Sequence, residues 1–319
     1  MQKSLLLLSL VLASKLVGGN PPPGDEPPAW AYPVNPPSLT ESPDDGSPLQ
    51  VPDSDARFTL TQIRDLNFCP DWHSNDHPPM PDIVARGRKP AVLACGSCHR
   101  ADGSGGPENA RVAGLPATYI AQQMADFKSG ARMTSVSGRN PERMVEIAKA
   151  ITSEETEAAA DYFSALKPRP AIRVIEAENA PKTRVVDWHL AVASTREMEP
   201  LGRRIIEVPE SLEQFERRDG RSRWVAYVPS GSVQRGQKLV TSGNGKTVAC
   251  GICHGPDLKG LGPIPSIAGR SPSYLIRQLY DFRAGLRAGA GSALMKPVVE
   301  KLSIDDMISL AAYAASLSP

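Results

Sequence analysis

Cys95-Gly-Ser-Cys98-His99 and Cys250-Gly-Ile-Cys253-His254 hold four of the five cysteines in this 319-residue chain. The Cys-x-x-Cys-His spacing reads as covalent haem attachment. The two sulfurs add to the haem vinyl groups as thioethers, and the adjoining imidazole becomes the proximal iron ligand. A Cys-x-x-Cys pair is also a zinc knuckle. Against zinc, histidine abuts the second cysteine both times, and the two motifs sit in matching repeats.

An offset of 155 carries Cys95 onto Cys250 and His99 onto His254. It also carries Ala113-Gly114 onto Ala268-Gly269, Tyr119 onto Tyr274 and Gln123 onto Gln278. Asp126-Phe127 falls on Asp281-Phe282, Gly130 on Gly285 and Arg132 on Arg287. The second copy is then four residues shorter, and an offset of 151 brings Met144 to Met295, Thr152 to Ser303, Tyr162 to Tyr313 and Leu166 to Leu317. The register defines two copies of one domain, 82–167 and 231–319. Each is long enough for a small core packed around a buried cofactor.

Residues 1–19 read as a secretory signal peptide: Lys3, an apolar run from Leu5 to Ala13, then small residues. That run is too short to span a bilayer, and no other stretch is long and apolar enough to do so. A periplasmic location follows, where disulfide and thioether chemistry is permitted. The net charge of +1 gives no case for nucleic acid. Charge is nevertheless uneven. Residues 1–81 carry 4 basic and 10 acidic side chains, whereas 231–319 carry 10 and 5. Either these are ordinary solvated surfaces, or the basic second copy steers an acidic redox partner or receives the acidic arm.

Residues 20–60 form a Pro-rich acidic linker with no core of its own, in which Trp30 and Tyr32 are candidate anchors. An N-terminal extension, 61–81, follows. Phe58 to Asp65 reads as a short helix within this region. Residues 168–230 form a small connector with β-like runs at Arg204–Val208 and Trp224–Val228, separated by the charged stretch Glu213 to Arg223. Within the copies the pattern is helical. Ser271-Pro272 supplies an N-cap and a first-turn proline, and Leu275, Leu279 and Phe282 make one apolar stripe. Ile120, Met124 and Phe127 repeat it. Thr152-Ser-Glu-Glu155 and Ser303-Ile-Asp-Asp306 are capping boxes that open the last helices. A helix over Ile83 to Ala94 is expected to lead into the first motif.

His99 and His254 bind iron through Nε2, so the other ring nitrogen needs an acceptor. Gly106-Pro107 and Gly262-Pro263 are the expected sources of that carbonyl, or else ordinary turns. The sixth ligands are Met144 and Met295, expected in loops that reach back over the haem face. A thioether opposite imidazole raises the potential and closes the iron to small ligands. Either methionine also serves as core filler, and Met133 competes with Met144 for the first iron.

Each copy resembles a class I cytochrome c domain of the c4/c553 type. The shared run is Cys-x-x-Cys-His, Ala-Gly, Tyr-Leu/Ile-x-x-Gln, Asp-Phe-x-x-Gly-x-Arg, Met, then a final helix ending Ala-Ala-Tyr. The tandem pair resembles the dihaem cytochrome c4 group. The resemblance implies a mainly α fold, two tandem class I cytochrome c domains joined by the strand-bearing connector. It implies two covalently attached haem c groups, on Cys95/Cys98 and Cys250/Cys253, ligated by His99 with Met144 and by His254 with Met295. It further implies one-electron relay between a donor dehydrogenase and an acceptor oxidase or cytochrome, with no catalytic residues. The alternative is a haem enzyme with an open sixth position at the first haem, acting on a peroxide or thiosulfate type of substrate. The long connector and the acidic arm depart from the family. Cys69 is left over as a buried thiol or an intermolecular pairing site. His73, His77 and Met80 are loop packing or spare ligands, and His189 has no evident partner.

Overall fold

The computed structural model describes residues 26–37, 39, 42–138 and 140–319. The signal-peptide expectation over 1–19 lies outside the described residues. No described helix is long and apolar enough to cross a membrane.

The segment before the first copy is more folded than a coreless linker. Leu49 and Phe58 pair as an antiparallel bridge, with Leu49 N–H donating to Phe58 O at 2.8 Å. Val51, Ile63 and Trp72 bury together, and Phe58 packs edge-on against Trp72 with ring centres 4.6 Å apart. Helix α1 (Leu60–Arg64) starts in a Thr59/Gln62 capping box. The apolar residues that make this cluster are few and scattered among prolines and acids, so composition hides it. Ala31 and Tyr32 are buried in the core of the second copy, which makes Tyr32 an anchor.

In the first copy, helix α2 (Asp82–Ala85) stops well short of the expected Ala94. Gly87 has φ +63°, and a Cβ there would collide with the Val92 carbonyl. Arg88 and Val92 close a tight turn around Pro90, which cannot continue a helix. The chain then forms α3 (Cys95–His99), α4 (Ala117–Ser129), α5 (Asn140–Ala150) and α6 (Ser153–Ala165). Helix α6 opens in the expected Thr152/Glu155 capping box.

The connector holds β1 (Ile172–Glu176), β2 (Asn179–Pro181), β3 (Thr183–Val186), β4 (His189–Val192), β5 (Met198–Pro200), β6 (Ile206–Pro209), α7 (Leu212–Glu216) and β7 (Trp224–Val228). Strand β7 lies between β1, parallel with Ile172 opposite Trp224, and β6, antiparallel with Ile206 opposite Tyr227. β2 pairs with β5, and β3 with β4. The two expected runs are therefore neighbouring strands, and the charged stretch between them contains α7.

The second copy comprises α8 (Ser232–Ser242), α9 (Gly251–His254), α10 (Pro272–Arg283), α11 (Ser292–Val299) and α12 (Ile304–Ser316). Ser271 caps α10 by accepting from Tyr274 N–H, and α12 opens in the Ser303/Asp306 box. α8 crosses α12 at Gly236, where a Cβ would lie 2.0 Å from Ser309 O. Only glycine lets these backbones approach so closely. The apolar face of α12, including Met307, Ile308, Leu310 and Ala314, is then fully covered.

The copies share several hydrogen bonds around each motif. Gly105 N–H donates to His99 O at 3.0 Å, and Gly260 N–H to His254 O at 2.8 Å. Val112 donates to Gly103 O as Ile267 does to Leu258 O, both at 2.9 Å. Gly114 N–H reaches Phe163 O and Gly269 N–H reaches Ala314 O, tying each loop to its last helix. Left-handed positions match as well, at Arg100 and Gly255, and at Gly103 and Leu258.

Candidate functional site

His99 and His254 end the short helices α3 and α9, so the cysteines and the imidazole of each motif share one turn. His99 Nδ1 lies 2.9 Å from Ala110 O, and His254 Nδ1 lies 2.8 Å from Pro265 O. A carbonyl only accepts, so Nδ1 carries the proton in both rings and Nε2 presents its lone pair. Burial, the largest influence on each, holds both imidazoles below their ordinary value, which keeps that lone pair free of a proton. The acceptors differ from the expected Gly106-Pro107 and Gly262-Pro263. They lie eleven residues after each histidine and 155 apart, so the repeat register pairs them. Nothing in the residue types Ala110 and Pro265 marks a carbonyl for this role.

This donor set fits haem c. Burial pushes the thiol of Cys95 up to about 12 and that of Cys250 up to about 11, so neither setting favours a thiolate. An uncharged thioether suits such a place. Tetrahedral zinc does not fit, because no three His, Cys, Asp or Glu side chains converge on a metal position among the described residues.

Met144 and Met295 lie on α5 and α11, not in the loops expected for them. In both cases a proline sits close by, Pro141 before Met144 and Pro297 after Met295. Met295 packs against the core of the second copy, whereas Met80 and Met124 are the methionines packed against that of the first. Met133 donates its N–H to Leu286 O at 2.7 Å and its side chain is exposed.

Between the copies lies a network that the sequence register contains but does not announce. Arg132 donates to Gln123 Oε1 at 2.8 Å in its own copy, and to Tyr274 Oη at 2.9 Å and Gln278 Oε1 at 3.0 Å in the other. Arg287 answers with Gln278 at 3.1 Å, Gln123 at 2.8 Å and Tyr119 Oη at 3.5 Å. Three residue pairs related by the offset of 155 thus interlock about a pseudo-two-fold axis. Arg111, Arg270 and Arg277 are buried along the same seam and donate to backbone carbonyls, as Arg111 does to Gly269 O and Arg277 to Ala31 O. Buried charge is costly without a counter-charge. The partners of Arg132 and Arg287 in this network are neutral, and Arg287 Nε is buried with no hydrogen-bond partner. A cofactor bearing carboxylates suits this surplus of guanidinium.

The remaining candidates are structural. Cys69 is buried against Gly96 of the first motif, and burial pushes its thiol up to about 12. His73 Nε2 pairs with Asp219 at 3.1 Å. His77 Nε2 pairs with Asp71 at 3.2 Å, and its Nδ1 lies 3.0 Å from Tyr162 Oη. His189 is buried against Phe215, ring centres 3.9 Å apart, and burial lowers it to about 3. These histidines bind the extension and the connector into the fold.

The family model for cytochrome c matches residues 84–167. The chain is 41% identical over 76 residues to cytochrome c-554(548) of Halomonas halodenitrificans, covering 24% of this chain and 92% of that protein. It is 28% identical over 234 residues to the thiosulfate dehydrogenase electron acceptor of Stutzerimonas stutzeri strain A1501, covering 72% of this chain and 82% of that one. Among solved structures, thiosulfate dehydrogenase TsdBA from Marichromatium purpuratum in its as-isolated form is similar at TM-score 0.49 and 26% identity. The match takes in 81% of this chain and 40% of that one.

Proposed function

The chain belongs to the class I c-type cytochromes, an electron-transfer family with covalently bound haem c, and we propose that it is a periplasmic dihaem relay. The reading rests on one observation above the rest: both histidines are locked in the same tautomer by the same backbone position, Ala110 and Pro265. Each bound haem supplies a one-electron couple. Cys95 and Cys98 would hold one group and Cys250 and Cys253 the other, with His99 and His254 each supplying a ligand to iron. Met144 and Met295 would supply the remaining ligand to each iron. The Ala110 and Pro265 carbonyls keep each imidazole oriented and its Nδ1 proton in place, which strengthens Nε2 as a donor. Arg132 and Arg287 would supply positive charge to haem carboxylates near the seam. The low dielectric and fixed dipoles there limit reorganisation when charge moves.

Partners are redox proteins. The similar electron acceptor of thiosulfate dehydrogenase makes a periplasmic dehydrogenase a natural donor class. Mass spectrometry of the exported, acid–acetone-treated protein tests the reading, with two haem additions expected. The bare polypeptide mass, or zinc in place of haem, overturns it.

One observation supports a second reading, a haem enzyme acting at the first copy. Met295 packs against its core, whereas Met144 lies outside the buried cluster of its own copy. Carbon monoxide binding to one reduced haem, with steady thiosulfate or peroxide turnover, selects the enzyme. Neither is expected of the relay.

A further inference from the structure

Arg100 and Gly255 follow the two histidines and share a left-handed backbone, with φ +70° and +82°. Glycine takes this conformation freely, whereas a side chain there is strained. The second copy has the glycine. The first keeps an arginine and buries it to 4% exposure. Glu108 and Arg111 likewise fall on Pro263 and Ser266 at the offset of 155, so at these three positions the first copy is charged and the second neutral. Lys259, which stands where the first copy has Ser104, is exposed to solvent.

The connector supplies the cover over Arg100. The guanidinium carbon lies 5.3 Å from the centre of the Phe215 ring on α7, and Nη2 comes within 3.5 Å of Phe215 O. Phe215 is itself packed between His189 at 3.9 Å and Trp224 at 5.1 Å. The N-terminal extension pins the end of α7 in turn, through Trp72 Nε1 to Arg217 O at 2.7 Å and His73 to Asp219 at 3.1 Å. A guanidinium over an aromatic face is a cation–π pair, and it strengthens as water is excluded. Arginine does not give up its proton in a protein. The charged groups around it are Glu108, Arg218 and Asp187. Arg218 and Asp187 oppose one another, and burial pushes the Glu108 carboxyl up to about 7. Below neutral pH the place therefore keeps a net positive charge.

We propose that the connector holds this charge beside His99 and out of water, and that Arg100 draws an electron shared between the two copies toward the first. This rests on the dihaem relay reading. Arg100 is the tuning charge, and Phe215 is the positioning residue that keeps it in place. A buried positive charge favours the reduced state of a nearby centre. At an effective dielectric of about 20, such a charge on the residue adjoining an iron ligand shifts a one-electron equilibrium by about tenfold.

Spectroelectrochemical titration of the haem-loaded full chain at pH 6 tests this, with two one-electron steps expected. Arg100→Gln should lower one step by about tenfold in its equilibrium constant, or about 59 mV, and leave the other in place. Arg100→Lys, which keeps the charge, should move that step less than about threefold. Phe215→Leu should move the same step in the same direction as Arg100→Gln, by a smaller factor. Lys128→Ala, an equal loss of charge from an exposed side chain of the first copy, should move neither step more than about twofold. The Arg100→Gln shift should persist in about 1 M salt, which screens surface charges beyond about 3 Å. Arg100→Gly, which copies the second motif and relaxes the backbone, should give the same shift. Two unmoved steps, equal movement of both, loss of the shift in salt, or a lysine variant as low as the glutamine one overturn the inference and leave the dihaem reading standing. One haem per chain by pyridine haemochrome overturns the dihaem reading. A single step that Arg100→Gln still lowers tenfold then leaves the charge assignment standing.

Discussion

Arg132 and Arg287 meet as a two-residue antiparallel bridge, flanked by Met133 N–H to Leu286 O and Ala288 N–H to Ala131 O, both 2.7 Å. Each backbone contact has its mirror in the other copy, and each guanidinium reaches across to the other copy's Gln and Tyr. Removing one arginine leaves buried polar groups without their donor. Arg287→Leu is expected to cost about 3 kcal/mol of stability, read as a lower urea midpoint of the haem-loaded protein. Losing a positive charge at the seam should also lower the reduction potential of at least one haem, measurable by spectroelectrochemical titration. Arg287→Lys, which keeps charge but loses the planar fork, should restore the potential more than the stability.

Met295→Ala should open one iron. The far-red absorption of the ferric Met–iron bond should fall by half, one haem should bind carbon monoxide, and its potential should drop. Met144→Ala should do the same for the other haem. Retention of both signals in either variant removes that methionine from the ligand set.

Gly96 and Cys69 form a tight pair. A methyl group on Gly96 has no room beside the Cys69 sulfur, so Gly96→Ala should destabilise by about 1–3 kcal/mol. Cys69→Gly should relieve most of that loss in the double variant, which thermal unfolding reads as non-additivity. In the native protein the Cys69 thiol should resist iodoacetamide at neutral pH, because burial leaves almost no thiolate.

His77 gives the fold a pH dependence. Tyr162 Oη already donates to Ala101 O at 2.6 Å, so it accepts from His77 Nδ1, while Nε2 donates to Asp71. Both ring nitrogens then carry protons. The Asp71 hydrogen bond, the leading cause, raises His77 above its ordinary value of 6.5. A raised folded value adds stability that is complete below the unfolded value and lost as pH rises through the folded one. The part-exposed Asp71 limits the effect to about 0.5–1 kcal/mol. Urea midpoints should fall from pH 6 to pH 8 in the wild type, and His77→Gln should flatten that slope.

The motifs, the capping boxes and the 155-residue register were legible because each is a local pattern of residue types. Thr152 with Glu155 and Ser303 with Asp306 open their helices as the spacing implies. What escaped was backbone chemistry and long-range packing. The Ala110 and Pro265 carbonyls act through position, not side chain. Helix α2 ends where Gly87 turns the chain, a stop that the apolar residues beyond it obscured. Tyr119, Gln123 and Arg132 stood out as repeat landmarks, yet their exchange across the seam depends on how the copies face each other. The packing of Cys69 against Gly96 and of Phe215 under Arg100 joins residues that lie far away in sequence on either side.

The seam also decides what the connector is free to be. Closing a chain segment carries an entropy that grows only with the logarithm of its length. Extending a ten-residue join to the 63 residues of 168–230 adds roughly 1.6 kcal/mol. Contacts such as Ser271 Oγ to the buried Glu207 at 2.7 Å offset a good part of that. Arg132 and Arg287 join the copies directly, through residues outside the insertion, and the connector adds contacts to each copy, at Arg100 through Phe215 and at Ser271 through Glu207. Insertions here can therefore reshape the outer surface of the first copy while the Arg132–Arg287 bridge still joins the two copies face to face.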